Sequence, residues 1–128
     1  MDLNTYNAYA PALARVSISL VFLWFGINQL ITPEDFTGYI PEWILTMSSA
    51  QSIVLINGIS ELILGGLLLV GLFIRPVALL LCVHLLTIIV SLGYNDIAVR
   101  DAGLMLVTIS IFLGGADKWS LDYRRNKA

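Results

Sequence analysis

Four long apolar runs make up most of the chain, and the polar positions inside them recur at helical rather than strand spacing. The spacing predicts transmembrane helices near residues 11–31, 52–74, 76–94 and 98–115, each close to the roughly 20 residues that cross a hydrocarbon core at about 1.5 Å rise per residue. The first is expected to open at Pro11 and to stop before Thr32-Pro33-Glu34-Asp35, the third to start at Pro76 behind Arg75, and the fourth to end at Gly114-Gly115. Residues 32–51 gather Phe36, Tyr39 and Trp43 around Gly38 and Pro41, a mixture suited to the headgroup region, with a short interfacial helix expected from Pro41 to Met47. The fold class these signals imply is all-α: an integral membrane four-helix bundle with an interfacial helix in its first loop, as one domain over residues 1–128.

Each run has a polar or small arc. In the second helix Asn57, Gly58, Glu61, Gly65, Leu68 and Gly71 wind onto one side, leaving Ile56, Ile59, Ile63, Leu67 and Val70 for lipid. Glu61 lies mid-span, where an acid costs on the order of 2.5–3.5 kcal/mol to insert, so it must be either a functional group or interhelical glue. The first helix brings Arg15, Ser19, Phe22, Gly26 and Gln29 to one face with Trp24 opposite. The third aligns His84, Thr87, Ser91, Tyr94 and Asn95, with Cys82 on its far side, and the fourth aligns Asp101, Met105, Thr108, Phe112 and Gly115.

Composition narrows the chemistry. Of 128 residues 58% are hydrophobic and 12% charged, against about 25% charged in a soluble domain, so the lipid bilayer is the first partner and no soluble catalytic module fits. A net charge of −2 without a basic, aromatic-interleaved patch argues against nucleic acid. The single Cys82 excludes an intrachain disulfide, and with the single His84 it leaves no haem, iron–sulfur or other metal signature. No small-x-small cleavage site follows the first run, so that helix is expected to be retained. Arg15, Arg75, Lys118, Arg124, Arg125 and Lys127 flank one side of four spans and Arg100 alone the other, which predicts a multi-pass plasma-membrane protein with N- and C-termini cytoplasmic.

Counting from the cytoplasmic helix ends puts Glu61 about 18 Å deep, Asp101 and Ser91 about 22 Å, Asn57 about 24 Å and His84 about 12 Å. Asn57, Glu61, Ser91, Arg100 and Asp101 are therefore the expected ligand-binding set. Glu61, Asp101 and His84 are the candidates for proton exchange, and an Arg100–Glu61 pair is the expected buried ion pair. Each also has a structural reading: register-fixing glue for Glu61, a core histidine for His84, and a first-turn acid facing the helix dipole for Asp101. Phe36, Tyr39 and Trp43 read as interface aromatics before a ligand lid, and Arg75, Arg124 and Arg125 as topology anchors.

Arg15, Gly26, Glu61-Leu-Ile-Leu-Gly65 with Gly71 and Arg75, Arg100-Asp101, and Gly114-Gly115 before Ser120-Leu121-Asp122 together resemble the DoxX family of small four-helix membrane proteins, over about residues 12–122. The resemblance implies association with membrane oxidoreductase systems, since relatives include a subunit of archaeal thiosulfate:quinone oxidoreductase, and it makes a quinone or other apolar small molecule the expected ligand. Gln29 departs from relatives that carry a lysine in a Gly-x-x-Lys-Leu stretch. The chain shows no electron carrier of its own, so redox activity would require a soluble or membrane redox partner or a bound cofactor. The competing readings are a proton-coupled transporter working as a homodimer around Glu61 and an assembly protein that docks a partner on its Lys118–Lys127 tail.

Overall fold

A computed structural model describes residues 3–127. Its helices are α1 (Leu3–Ile31), the single-turn α2 (Glu42–Leu45), α3 (Ala50–Val70), α4 (Ile74–Leu92), α5 (Asp96–Gly114) and α6 (Leu121–Lys127), with a 3-10 segment at Pro33–Tyr39 ahead of α2. Helices α1, α3, α4 and α5 are each long and apolar enough to cross a bilayer, and no strand forms among the described residues. The bundle is all-α, and the protein is a membrane protein.

The ends of these helices follow local chemistry that hydropathy alone misses. Helix α1 begins at Leu3, eight residues before Pro11, which sits inside it. The ring removes a single intrahelical bond, and the polar, mostly exposed first turns can hydrate the freed carbonyl, so the helix continues through it. The expected Pro41–Met47 helix is cut to Glu42–Leu45, and most of the loop before it is 3-10 instead. Helix α3 ends at Val70 rather than residue 74, because Gly71 adopts φ 75° and its N–H turns back to the carbonyls of Leu67 and Leu68. Helix α4 then starts at Ile74, which puts Pro76 in the first turn, where its missing N–H is harmless. Asn95 starts α5 two residues earlier than expected by accepting the Ala98 N–H at 2.8 Å, and Gly115 ends it at φ 69°.

The helices form two tight pairs, α1 with α3 and α4 with α5. The α1–α3 crossing is made at Gly26 and Gly58: a Cβ on Gly26 would lie 2.9 Å from the Gly58 carbonyl, and one on Gly58 would lie 2.9 Å from Gln29 Cβ. The arcs of α1 and α3 face inward as expected, with Arg15, Ser19, Phe22, Gly26 and Gln29 buried on α1, Gly58, Glu61, Gly65 and Leu68 on α3 and Gly71 at its cap, whereas in the arc that holds His84 the side chains of Thr87, Ser91 and Tyr94 are exposed. Ile56, Ile59, Ile63 and Val70 are exposed to the surroundings, whereas Leu67 packs partly against the core. That core, Ile18, Phe22, Leu68, Ile74, Val77, Ala78, Leu81, Leu85 and Ile111, fills the half of the bundle nearer the α3–α4 turn.

At the end of the bundle that carries α6, a second polar cluster closes the structure. Arg15 donates from Nε to Asp117 Oδ2 at 2.6 Å and from Nη1 to the Leu68 carbonyl at 2.8 Å and to that of Leu69, both in the last turn of α3. The Asp122 N–H donates to the Gly71 carbonyl at 2.9 Å, and its carboxylate accepts the Ile74 N–H at 2.8 Å. Gly71 lies so close to Ser120 that any Cβ would overlap it. The segment after α5 therefore latches the α3–α4 turn shut. Removing one member of the buried Arg15–Asp117 pair should cost about 3–5 kcal/mol, because the survivor keeps its charge in a low dielectric. Detergent-unfolding of Arg15→Met, Asp117→Leu and the double variant checks this: the double should lose less than the sum of the singles, and additive losses would show that the pair is uncoupled.

Candidate functional site

Glu61 is 4% exposed, and both of its oxygens are held. Gln29 Nε2 on α1 donates to Oε2 at 2.8 Å, Asn57 Nδ2 one helical turn away donates to Oε1 at 3.1 Å, and His84 Nε2 on α4 shares a hydrogen bond with Oε1 at 2.7 Å. Asn57 Nδ2 also donates to Gln29 Oε1 at 2.8 Å, which fixes the Gln29 amide so that its nitrogen faces the carboxylate. The result is one hydrogen-bonded network spanning α1, α3 and α4.

The expected Arg100–Glu61 pair does not form. Arg100 donates from Nε to Asp101 Oδ1 at 2.9 Å, with Nη2 at 2.8 Å from the same oxygen, and its guanidinium lies 5.3 Å from the centre of the Phe25 ring. Its side chain is 47% exposed, whereas that of Asp101 is 4%. The helix ends decide which groups meet. With α3 ending at Val70 and α4 beginning at Ile74, Glu61 lies nine residues and His84 ten residues from the turn, about 14 and 15 Å along their axes, so the two are level. Arg100 lies fourteen residues from Gly114, about 21 Å, and meets its neighbour Asp101 before it can reach Glu61.

These groups line one cavity of about 170 Å³ between the helix pairs, on the side of the core away from the α3–α4 turn. Asn57, Glu61, His84, Ser91, Arg100 and Asp101 all border it, as does Gln29. Ser91 and Thr87 are mostly exposed and donate to carbonyls of their own helix, which leaves their oxygens as acceptors at its edge. Phe22, Phe25, Phe36 and Tyr39 supply flat apolar walls, and Phe25 meets Phe36 edge-on at 6.2 Å. Phe36 and Tyr39 therefore border the cavity, whereas Trp43 is 67% exposed and does not. The chemistry on offer is a polar floor of amide, carboxylate and imidazole, one guanidinium, and aromatic walls able to flank a planar ring.

The DoxX family model matches residues 10–93, from α1 through the end of α4, and so takes in Gln29, Asn57, Glu61 and His84. The chain belongs to the DoxX family. No curated protein and no solved structure matches it. The match stops before α5, so Arg100 and Asp101 of this DoxX protein enter the site on geometry alone.

Two features of the DoxX site lay outside the sequence reading. Gln29 was placed on an inward face, but its hold on Glu61 depends on the α1–α3 spacing set at Gly26 and Gly58. Asp117, the partner that keeps Arg15 away from the cavity, lies beyond the last span; an acid just after Gly114-Gly115, at the head of a basic tail, is the signal the sequence offers. The geometry predicts that Glu61→Leu and His84→Leu are coupled by about 0.5–3 kcal/mol in detergent-unfolding stability, whereas Glu61→Leu and Arg100→Leu add to within about 0.5 kcal/mol. Coupling to Arg100 and none to His84 would restore the pairing that the structure rejects.

Proposed function

We infer that this DoxX protein is a quinone-associated subunit or accessory protein of a plasma-membrane oxidoreductase system, with the quinone headgroup held in the Glu61 cavity. The observation that carries the reading is the cavity itself: aromatic walls enclose a hydrogen-bonding floor at mid-bundle depth. The residues fit such a group. Phe22, Phe25, Phe36 and Tyr39 suit a flat ring, and its carbonyl oxygens need donors, for which Arg100 retains Nη1 and His84 its second ring nitrogen. A bound quinone would supply two-electron chemistry coupled to two protons. The chain's own part is to bind the ring, orient it, and hold or pass a proton between Glu61 Oε1 and His84 Nε2. Asp101 is engaged by Arg100 and serves to position it. Electrons would come from a redox partner, since one cysteine and one histidine offer no paired redox centre in the chain.

The transporter reading has less support, because three side chains already hold the Glu61 oxygens that a cationic substrate would need. The assembly-tail reading is weakened by Asp122, which fastens the start of α6 to the α3–α4 turn. With Lys118, Arg124, Arg125 and Lys127 at the end that carries α6, both termini belong in the cytoplasm; reporter fusions after residue 127 and within residues 32–49 should report opposite sides.

Binding of a short-tailed quinone to the protein in nanodiscs tests the reading. The natural sequence should bind, and Glu61→Gln should stay folded but bind about tenfold more weakly, the scale of one lost charge-assisted hydrogen bond. A protein that carries no extractable quinone and binds none would exclude it.

A further inference from the structure

Charge at the α6 end of the bundle is sorted by direction. The two acids of residues 115–127 both turn inward: Asp117 is buried against Arg15, and Asp122 accepts the Ile74 N–H. Apart from Arg15, the cations turn outward. Arg75, Lys118, Arg124, Arg125 and Lys127 are exposed, and none makes a salt bridge among the described residues. Two are steadied by rings instead, with the Arg125 guanidinium 5.3 Å from the Phe73 ring centre and Lys127 Nζ 4.7 Å from that of Tyr123. Arg75 lies along the bare side of Gly115, where a Cβ would come within 3.0 Å of its Nε. The opposite end of the bundle shows the reverse pattern: Glu34, Asp35, Glu42 and Asp96 are exposed there, and the one arginine, Arg100, is bound to Asp101.

We propose that this rim is a binding site for anionic phospholipid headgroups of the adjoining leaflet, with Arg75, Arg124, Arg125 and Lys127 as its phosphate ligands. Like charges crowded without acids repel one another, and an anionic surface relieves that repulsion while contributing at each cation. Guanidinium groups suit phosphate oxygens because they can donate two parallel bonds. Position selects lipid over a soluble acidic protein. The rim surrounds the ends of the apolar spans, and the half-exposed Tyr9 and Trp119 stack at 4.6 Å beside it, as aromatics do at headgroup depth. Helix α6 is also tied to the α3–α4 turn through Asp122 and Gly71, and Arg125 lies over Phe73 of that turn, so its cations are held beside the ends of the spans instead of on a free tail that could wrap a partner. None of this depends on what occupies the Glu61 cavity.

Fluorescence of Trp119 reads the site directly. In a Trp24→Phe/Trp43→Phe protein reconstituted in phosphatidylcholine, brominated phosphatidylglycerol should quench Trp119 with about threefold higher apparent affinity than brominated phosphatidylcholine. The preference should disappear in the added Arg124→Gln/Arg125→Gln/Lys127→Gln variant and shrink in high salt. Equal quenching by the two lipids, no quenching by either, or a preference that survives the triple substitution would overturn the proposal. The chain with its natural tryptophans gives a second reading. Purified from a bilayer of equal phosphatidylglycerol and phosphatidylcholine, it should retain mainly phosphatidylglycerol by mass spectrometry, and the triple variant should not. Retention of both lipids in equal amounts, or an acidic protein held in place of lipid, would refute it.

Discussion

A carboxylate placed between apolar helices must be given donors, and meeting that demand at Glu61 sets the arrangement of three of the four spans. Oε2 is reached from α1, so Gln29 must come within hydrogen-bonding distance, and it does so only because Gly26 and Gly58 let the two backbones touch. Oε1 is reached from α4, so His84 must stand level with Glu61, which the short Gly71–Phe73 turn brings about. Sliding α4 by one residue would move His84 by about 1.5 Å and rotate it by about 100°, away from the carboxylate. Polar pairing thus fixes a register that lipid-facing leucines and isoleucines would leave free to slip.

The inward arcs were legible because helical periodicity is insensitive to where a helix ends. Gly58, Glu61, Gly65 and Leu68 on α3, and Arg15, Ser19, Phe22 and Gln29 on α1, face the interior whichever residue begins the span. Partner choice was not legible in the same way, because depth is counted from the ends. A turn at residue 75 instead of 71–73 puts Glu61 deeper and His84 shallower, each by a few ångströms, and makes a level pair read as a mismatched one. The Gly71 terminator was in the sequence, but a glycine within an apolar run reads equally well as a packing residue. Helix α6 and Asp117 escaped for a different reason: they lie outside every hydrophobic run, and their order comes from contacts with Arg15, Gly71 and Ile74.

The two polar clusters solve the same solvation problem in opposite ways. Around Arg15 the solution is closed: guanidinium, carboxylate and helix-end carbonyls satisfy one another, and Ser120 fills the space against Gly71. Around Glu61 it is open, because the network borders a cavity and some of its hydrogen-bonding capacity faces that space. The closed cluster ties the turn and the α5–α6 segment together, and the apolar core stands between it and the cavity. The half of the bundle with the cavity is covered on that side by the 3-10 segment and α2 rather than by another long helix, so Phe36, Tyr39 and Ile44 form part of its wall.

Within the proposed reading, the bond between Glu61 Oε1 and His84 Nε2 links proton position to what the cavity presents. Oε2 faces the Gln29 amide nitrogen, and that amide cannot turn without also losing its bond from Asn57, so the exchangeable proton belongs to the Oε1 side. One hydrogen lies between Oε1 and Nε2. If Nε2 carries it and the ring is neutral, Nδ1 is a bare acceptor; if Oε1 carries it, the neutral ring must hold its hydrogen at Nδ1 and becomes a donor there. Nδ1 makes no hydrogen bond among the described residues and is not buried without a partner, so this change is displayed on a ring that borders the cavity. A carbonyl oxygen in the cavity favours the second state and a hydroxyl donor the first. The second state holds one proton more than the first, so in this reading the pair would tell the oxidised from the reduced form of a quinone-like ring by taking up or releasing one proton while the hydrogen between Oε1 and Nε2 changes its carrier, with no helix having to shift.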